Sequence, residues 1–100
     1  MKSPRLQLDR DKIAAFCGRH GIRRLALFGS VLRDDFSRES DIDVLVEFEP
    51  GARTGLAFFD MQDELSAIIG RTVDLNTPGF LNPHIRARVL QELQEVYVAA

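Results

Sequence analysis

Residues Leu25 to Glu49, LALFGSVLRDDFSRESDIDVLVEFE, decide how this chain is read. An apolar run stops at Gly29-Ser30, a polar excursion follows, and after ten intervening residues a second run opens with Asp41-Ile42-Asp43 and continues through Val44-Leu45-Val46. In a strand, side chains alternate between faces, so Asp41 and Asp43 share one face and Ile42, Val44, Val46 and Phe48 share the other. The two carboxylates stand roughly 6–7 Å apart along the backbone. Without a cation between them they repel and are costly to desolvate. A divalent metal removes that cost, and hard oxygen donors suit magnesium.

The Gly-Ser turn supplies the complementary half. Gly29 lets the backbone approach a ligand closely, and Ser30 offers a hydroxyl. A helical turn beginning at Ser30 would aim free N–H groups at the same region and favour an anion. A phosphate cradle beside a two-carboxylate metal site is equipment for phosphoryl or nucleotidyl transfer. The pattern Gly29-Ser30, ten residues, Asp41-x-Asp43, with Ser40 completing Ser-Asp-x-Asp, resembles the signature of the DNA polymerase beta-like nucleotidyltransferases. At 100 residues the chain is similar to their minimal branch, members of which are encoded beside HEPN-domain partners.

Composition sets the outer bounds. One hundred residues with 45% apolar content make a single domain over 1–100 with one core, and leave no room for a second substrate-binding domain. A net charge of −2 argues against general electrostatic binding of nucleic acid or of an anionic membrane. The basic residues are eleven Arg and two Lys, a bias that serves bidentate phosphate contacts or reflects base composition of the coding sequence. One Cys rules out an internal disulfide and suits a reducing cytoplasm. The first residues, Met1-Lys2-Ser3-Pro4-Arg5, lack the apolar segment of a signal peptide, and no run approaches the length of a membrane span.

The expected fold is α/β, a small mixed sheet flanked by helices, with strands near 23–29, 42–49 and 71–76 and helices near 10–20, 55–69 and 83–96. Asp9 is placed to cap the first helix and Gly21 to close it. Ile13, Ala14, Phe16, Cys17 and Leu6 form its apolar side, which makes Cys17 a core residue rather than a nucleophile. His20 falls in its last turn and reads as a surface residue. In the second helix Leu56, Phe59, Leu65 and Ile69, with Phe58, Met61 and Ile68 beside them, form a broad stripe. That stripe assigns both Phe58 and Phe59 to core packing rather than to stacking on a base. Asn82-Pro83 starts the last helix, which would place Ile85, Val89, Leu93 and Val96 on one face. The apolar stretch Val96–Ala100 either packs on the core or faces a partner. His84 has no second ligand at metal spacing, so zinc is not expected.

Asp74 stands between Val73 and Leu75 in the third strand, and a lone carboxylate in an apolar strand needs a partner. That partner is either the metal site or an arginine such as Arg71. The resemblance favours the first, because the third carboxylate of the polymerase beta-like site comes from a later strand. It also implies that Arg33, three residues after Ser30, serves as a triphosphate contact or a structural ion pair. Asp34, Asp35 and Glu39 read as members of a solvated loop, and Asp34 departs from a Gly common among relatives.

By this resemblance the chain is expected to be a nucleotidyltransferase using ATP and two magnesium ions. Asp41, Asp43 and Asp74 are its expected metal ligands and catalytic residues, with Gly29, Ser30 and Arg33 on the nucleotide. The expected acceptor is a tyrosine hydroxyl of a HEPN ribonuclease toxin, with the chain as antitoxin by AMP transfer. A non-catalytic antitoxin that acts by binding, and a transferase acting on a small-molecule hydroxyl, are the alternative readings.

Overall fold

A computed structural model describes residues 8–32, 40–51 and 57–99. Helix α1 spans Arg10–His20; the Asp9 side chain accepts from the Lys12 amide at 3.1 Å, and the Gly21 amide returns to the Cys17 carbonyl. Ile13, Phe16 and Cys17, spaced i, i+3, i+4, are its buried stripe. Strand β1 (Ile22–Phe28) follows without a loop, and a four-residue 3-10 helix over Gly29–Leu32 ends it. Strand β2 (Ile42–Phe48) runs antiparallel to β1, pairing Leu25 with Val46 and Phe28 with Asp43. Helix α2 (Ala57–Ile69) then carries the chain back, so that β3 (Val73–Asn76) lies parallel to β2, the crossover a parallel pair requires.

A 3-10 turn at Pro78–Phe80 packs against β2. Helix α3 (Pro83–Glu92) starts at Asn82, whose side chain accepts from the His84 amide at 2.9 Å. The last element is a strand, β4 (Gln94–Val98), antiparallel to β1, which completes a mixed sheet of order β3-β2-β1-β4. Among the described residues no helix is long and apolar enough to cross a membrane.

Beneath one face of the sheet lies the main core. Leu25 and Leu27 of β1, Ile42, Val44 and Val46 of β2, and Val73 and Leu75 of β3 pack with the buried stripes of α1 and α2, the latter being Phe58, Met61 and Leu65. Full burial of one such side chain contributes about 1.5–3 kcal/mol. Stability therefore comes chiefly from the helical face. By alternation, Ala26 and Phe28, Asp43, Leu45 and Glu47, and Asp74 turn to the outer face. On that face Ala26 and Leu45 are buried, and Arg24 bridges Glu47 of β2 (2.9 Å) and Glu95 of β4 (2.8 Å).

The sequence-based elements need four corrections. The helix expected over 83–96 ends at Glu92, because Leu93 is already extended (ψ 156°) and Val96-Tyr97-Val98 is a β-branched and aromatic run beside the free edge of β1. Val96 and Tyr97 pack on the core, which answers one of the two readings of this stretch. Ile85 is 53% exposed and Val89 is the buried residue of α3, so the expected stripe is not a core face. Phe59 is 69% exposed while Phe58 is buried, since adjacent helical positions diverge by about 100°. His20 is half-buried rather than superficial: its ring packs at a 58° tilt against Phe16 with centroids 4.8 Å apart, and its Nε2 lies 2.9 Å from Glu64 Oε1 of α2. The remaining strand bounds shift by one or two residues, and residues 52–56, which include the expected start of α2, lie outside those described.

Glu64 joins the two helices by pairing with Arg19 as well as His20, and the Arg19 hydrogen bond, followed by that of His20, holds its carboxyl below the ordinary value near 4.5. A lowered folded pKa contributes stability that is present above the unfolded value and lost as pH falls through the folded one. Wild type should therefore melt above Glu64→Gln at neutral pH, with the gap closing in acid below about pH 4, as thermal scans from pH 7 to 3 would record.

Candidate functional site

The antiparallel register of β1 with β2 sets the end of one strand against the start of the other, with Phe28 opposite Asp43. Gly29 follows Phe28 with φ +79°. A Cβ at that position would overlap Asp43 Oδ2 and stand 3.1 Å from its Cγ. Only a residue without a side chain allows the turn and the carboxylate to sit so close. Ser30 is half-buried in the 3-10 helix that the buried Val31 anchors to the core. The short helical turn expected at this point is present, in 3-10 form and beginning one residue earlier.

Asp41 is exposed immediately before β2, Asp43 is half-buried on the outer face, and Asp74 is exposed on β3. Asp43 and Asp74 are register partners in the parallel pair, so they share a face on strands about 4.8 Å apart. Two contacts fix this corner of the sheet. Arg71 Nη2 donates to the carbonyl of Ser40 at 2.8 Å, and the Ile42 amide donates to the carbonyl of Thr72 at 2.9 Å. Arg71 thus braces the residue that precedes the carboxylate pair.

A hard divalent cation suits a donor set made of carboxylate oxygens alone. Among the described residues, however, no three His, Cys, Asp or Glu side chains close around a point at metal-holding spacing. Asp43 and Asp74 are neighbours by strand register, and Asp41 stands one residue before β2. Arg33, together with Asp34, Asp35 and Glu39, lies outside the described residues. Burial pushes the Cys17 thiol up to about 12, so it stays protonated and inert within the core.

Sequence reasoning missed the side chains that hold the strands in place: Arg71 on Ser40, and Gln62 and Ser66 of α2, which accept from the amides of Leu75 (2.9 Å) and Val73 (3.0 Å). Gln62 and Ser66 stand one helical turn apart, and both fall beside the apolar stripe of α2. That spacing is the only trace of their role in the sequence.

The glycine turn thus sits against Asp43, with Asp74 in register on the adjoining strand. The family described as nucleotidyltransferase domain matches residues 10–96, and the chain belongs to it as an enzyme of the minimal type. The chain is 38% identical over 80 residues to the protein adenylyltransferase MntA of Thermococcus cleftensis, covering 80% of this chain and 78% of that protein. A solved structure of a candidate minimal nucleotidyltransferase is 38% identical and superimposes with a TM-score of 0.70 over 84% of this chain and 85% of its own. The complex of a tri-AMPylated Shewanella oneidensis HEPN toxin with its MNT antitoxin gives a TM-score of 0.64 at 18% identity, over 90% of this chain and 70% of that one. At that identity the likeness is one of fold.

Proposed function

We propose that this chain is a magnesium-dependent protein adenylyltransferase that transfers AMP from ATP to a tyrosine hydroxyl of a partner HEPN toxin, and so acts as its antitoxin. The observation that carries this reading is the 38% identity, across four fifths of the chain, to a protein named for protein adenylylation. The antitoxin role rests on the shared fold with an MNT antitoxin whose HEPN toxin partner is AMPylated.

Asp41 and Asp43, with Asp74 beside them, are the proposed magnesium ligands, and their all-oxygen donor set is the reason. When bound, magnesium neutralises charge on the triphosphate and lowers the pKa of an incoming hydroxyl. The Gly29–Ser30 turn receives the triphosphate, since Gly29 leaves its backbone open beside Asp43 and Ser30 brings a hydroxyl donor. The proposed role of Arg33 is a further contact to that triphosphate. Asp74 takes the proton of the acceptor hydroxyl. The acceptor oxygen then forms its bond to the α-phosphorus, the α–β bridging bond breaks, and pyrophosphate leaves.

A domain of this size offers little surface for orienting an acceptor, and orientation supplies much of the rate in such transfers. The toxin is therefore the proposed source of that orientation. Incubated with labelled ATP, magnesium and the HEPN-type product of a neighbouring gene, the chain should place AMP on the toxin, seen by intact-mass spectrometry and located on tyrosine by peptide mapping. Neutralised toxin that carries no adduct would overturn the proposal in favour of inhibition by binding alone.

A further inference from the structure

β3 is a four-residue edge strand, and Asp74 depends on its register for its place beside Asp43. Along a strand, amides alternate between its two edges. Those of Val73 and Leu75 turn away from the ladder toward α2, where edge-strand amides commonly meet only solvent. In this fold both are taken up by side chains. The Leu75 amide donates to Gln62 Oε1 at 2.9 Å and the Val73 amide to Ser66 Oγ at 3.0 Å. Ser66 in turn donates its hydroxyl proton to the Gln62 carbonyl at 2.8 Å, which fixes the direction of its lone pairs. Gln62 and Ser66 are i and i+4 on one helix, a rise of about 6 Å, close to the repeat of alternate amides in a strand.

The geometry points to Gln62 as a positioning residue. Through the Leu75 amide it locks β3 at the register that sets Asp74 opposite Asp43, and so prepares the carboxylates for magnesium and nucleotide. This inference rests on the site reading given above. Packing alone does not supply the lock, because Val73 and Leu75 are buried as smooth apolar side chains that a sliding strand would exchange two residues at a time. The side-chain oxygen of Gln62 accepts from the Leu75 amide at 2.9 Å, a directional contact added to that packing.

The test compares the full chain with Gln62→Met, which keeps side-chain length and loses the acceptor, and with Gln62→Glu, which keeps an acceptor oxygen. Two quantities are read: hydrogen exchange at the Leu75 amide, and the rise in melting temperature given by Mg-ATP at about 100 times its Kd. Gln62→Met should speed exchange at Leu75 roughly threefold to tenfold, the value of one lost hydrogen bond. It should also cut the Mg-ATP shift to about half, as a tenfold weaker Kd would. Gln62→Glu should restore both. In an Asp74→Asn background, Gln62→Met should leave the Mg-ATP shift where Asp74→Asn alone puts it, since the coupling runs through Asp74. A Gln62→Met protein with the wild-type Mg-ATP shift overturns the inference and leaves the site reading standing. An equal further loss in the Asp74→Asn background overturns it as well, because the effect would then be one of general structure. Absence of any Mg-ATP shift in wild type overturns the site reading and the inference together.

Discussion

Asp41→Asn/Asp43→Asn is expected to lower AMP transfer to the toxin by about 10³-fold or more, while the protein stays folded. Each substitution removes a negative charge that the proposed metal needs. Several kcal/mol of charge stabilisation are at stake in such a site, and each 1.36 kcal/mol is tenfold in rate. Neither residue lies in the helix-facing core, and β2 keeps Ile42, Val44 and Val46 to hold it there. Removing two like charges relieves their mutual repulsion. Intact-mass spectrometry reads the adduct, and a melting curve without ligand checks the fold. Growth in the presence of the toxin then separates the antitoxin readings. Protection lost with the carboxylates marks catalysis as the means, whereas a double mutant that protects as well as wild type at equal expression marks binding.

Gly29→Ala is expected to damage activity and stability together. The residue sits at φ +79°, where an L side chain costs about 1–2 kcal/mol, which in a domain of this size lowers the melting temperature by about 5–15 °C. Its Cβ would also overlap the Asp43 carboxylate, so the turn or the carboxylate must move. A displacement near 1 Å in a transfer site costs about 10²-fold. Gly51→Ala separates the two effects. Gly51 has φ +85° with no atom of the described residues within 4 Å of an added Cβ, so it should share the loss of stability and keep the transfer rate. Equal activity in the two alanine variants would show that the contact of Gly29 with Asp43 has no part in the reaction.

Much of this arrangement was legible in the residues themselves, for a physical reason. Gly29-Ser30 and Asp41-x-Asp43 are local signals: a break in an apolar run and a polar pair at the period of a strand, separated by a fixed spacer. Asp74 stood out as a carboxylate between two core residues, and its pairing with Asp43 follows from the parallel crossover through α2. β4 was not legible. Val89, Leu93 and Val96 satisfy a helical stripe as well as Val96-Tyr97-Val98 suits a strand, and the choice is made by an empty edge on β1, some seventy residues away. Phe59 misled for a related reason, since a stripe drawn broadly admits a neighbour that the helix turns outward. Gln62 and Ser66, and the bond of Arg71 to Ser40, escaped notice because these contacts are made to backbone groups of another segment. No residue type announces such a bond before the helix has docked.

The late position of β4 also shapes how the protein is made. β1 receives one neighbour, β2, after a gap of 13 residues, but its other edge waits for Gln94–Val98. At about 5–20 residues per second, the ribosome needs several seconds to cover the interval from Phe28 to Gln94. Until then β1 keeps an unpaired apolar edge, the feature that invites pairing with another chain. β4, by pairing with that edge, thus closes the window for aggregation.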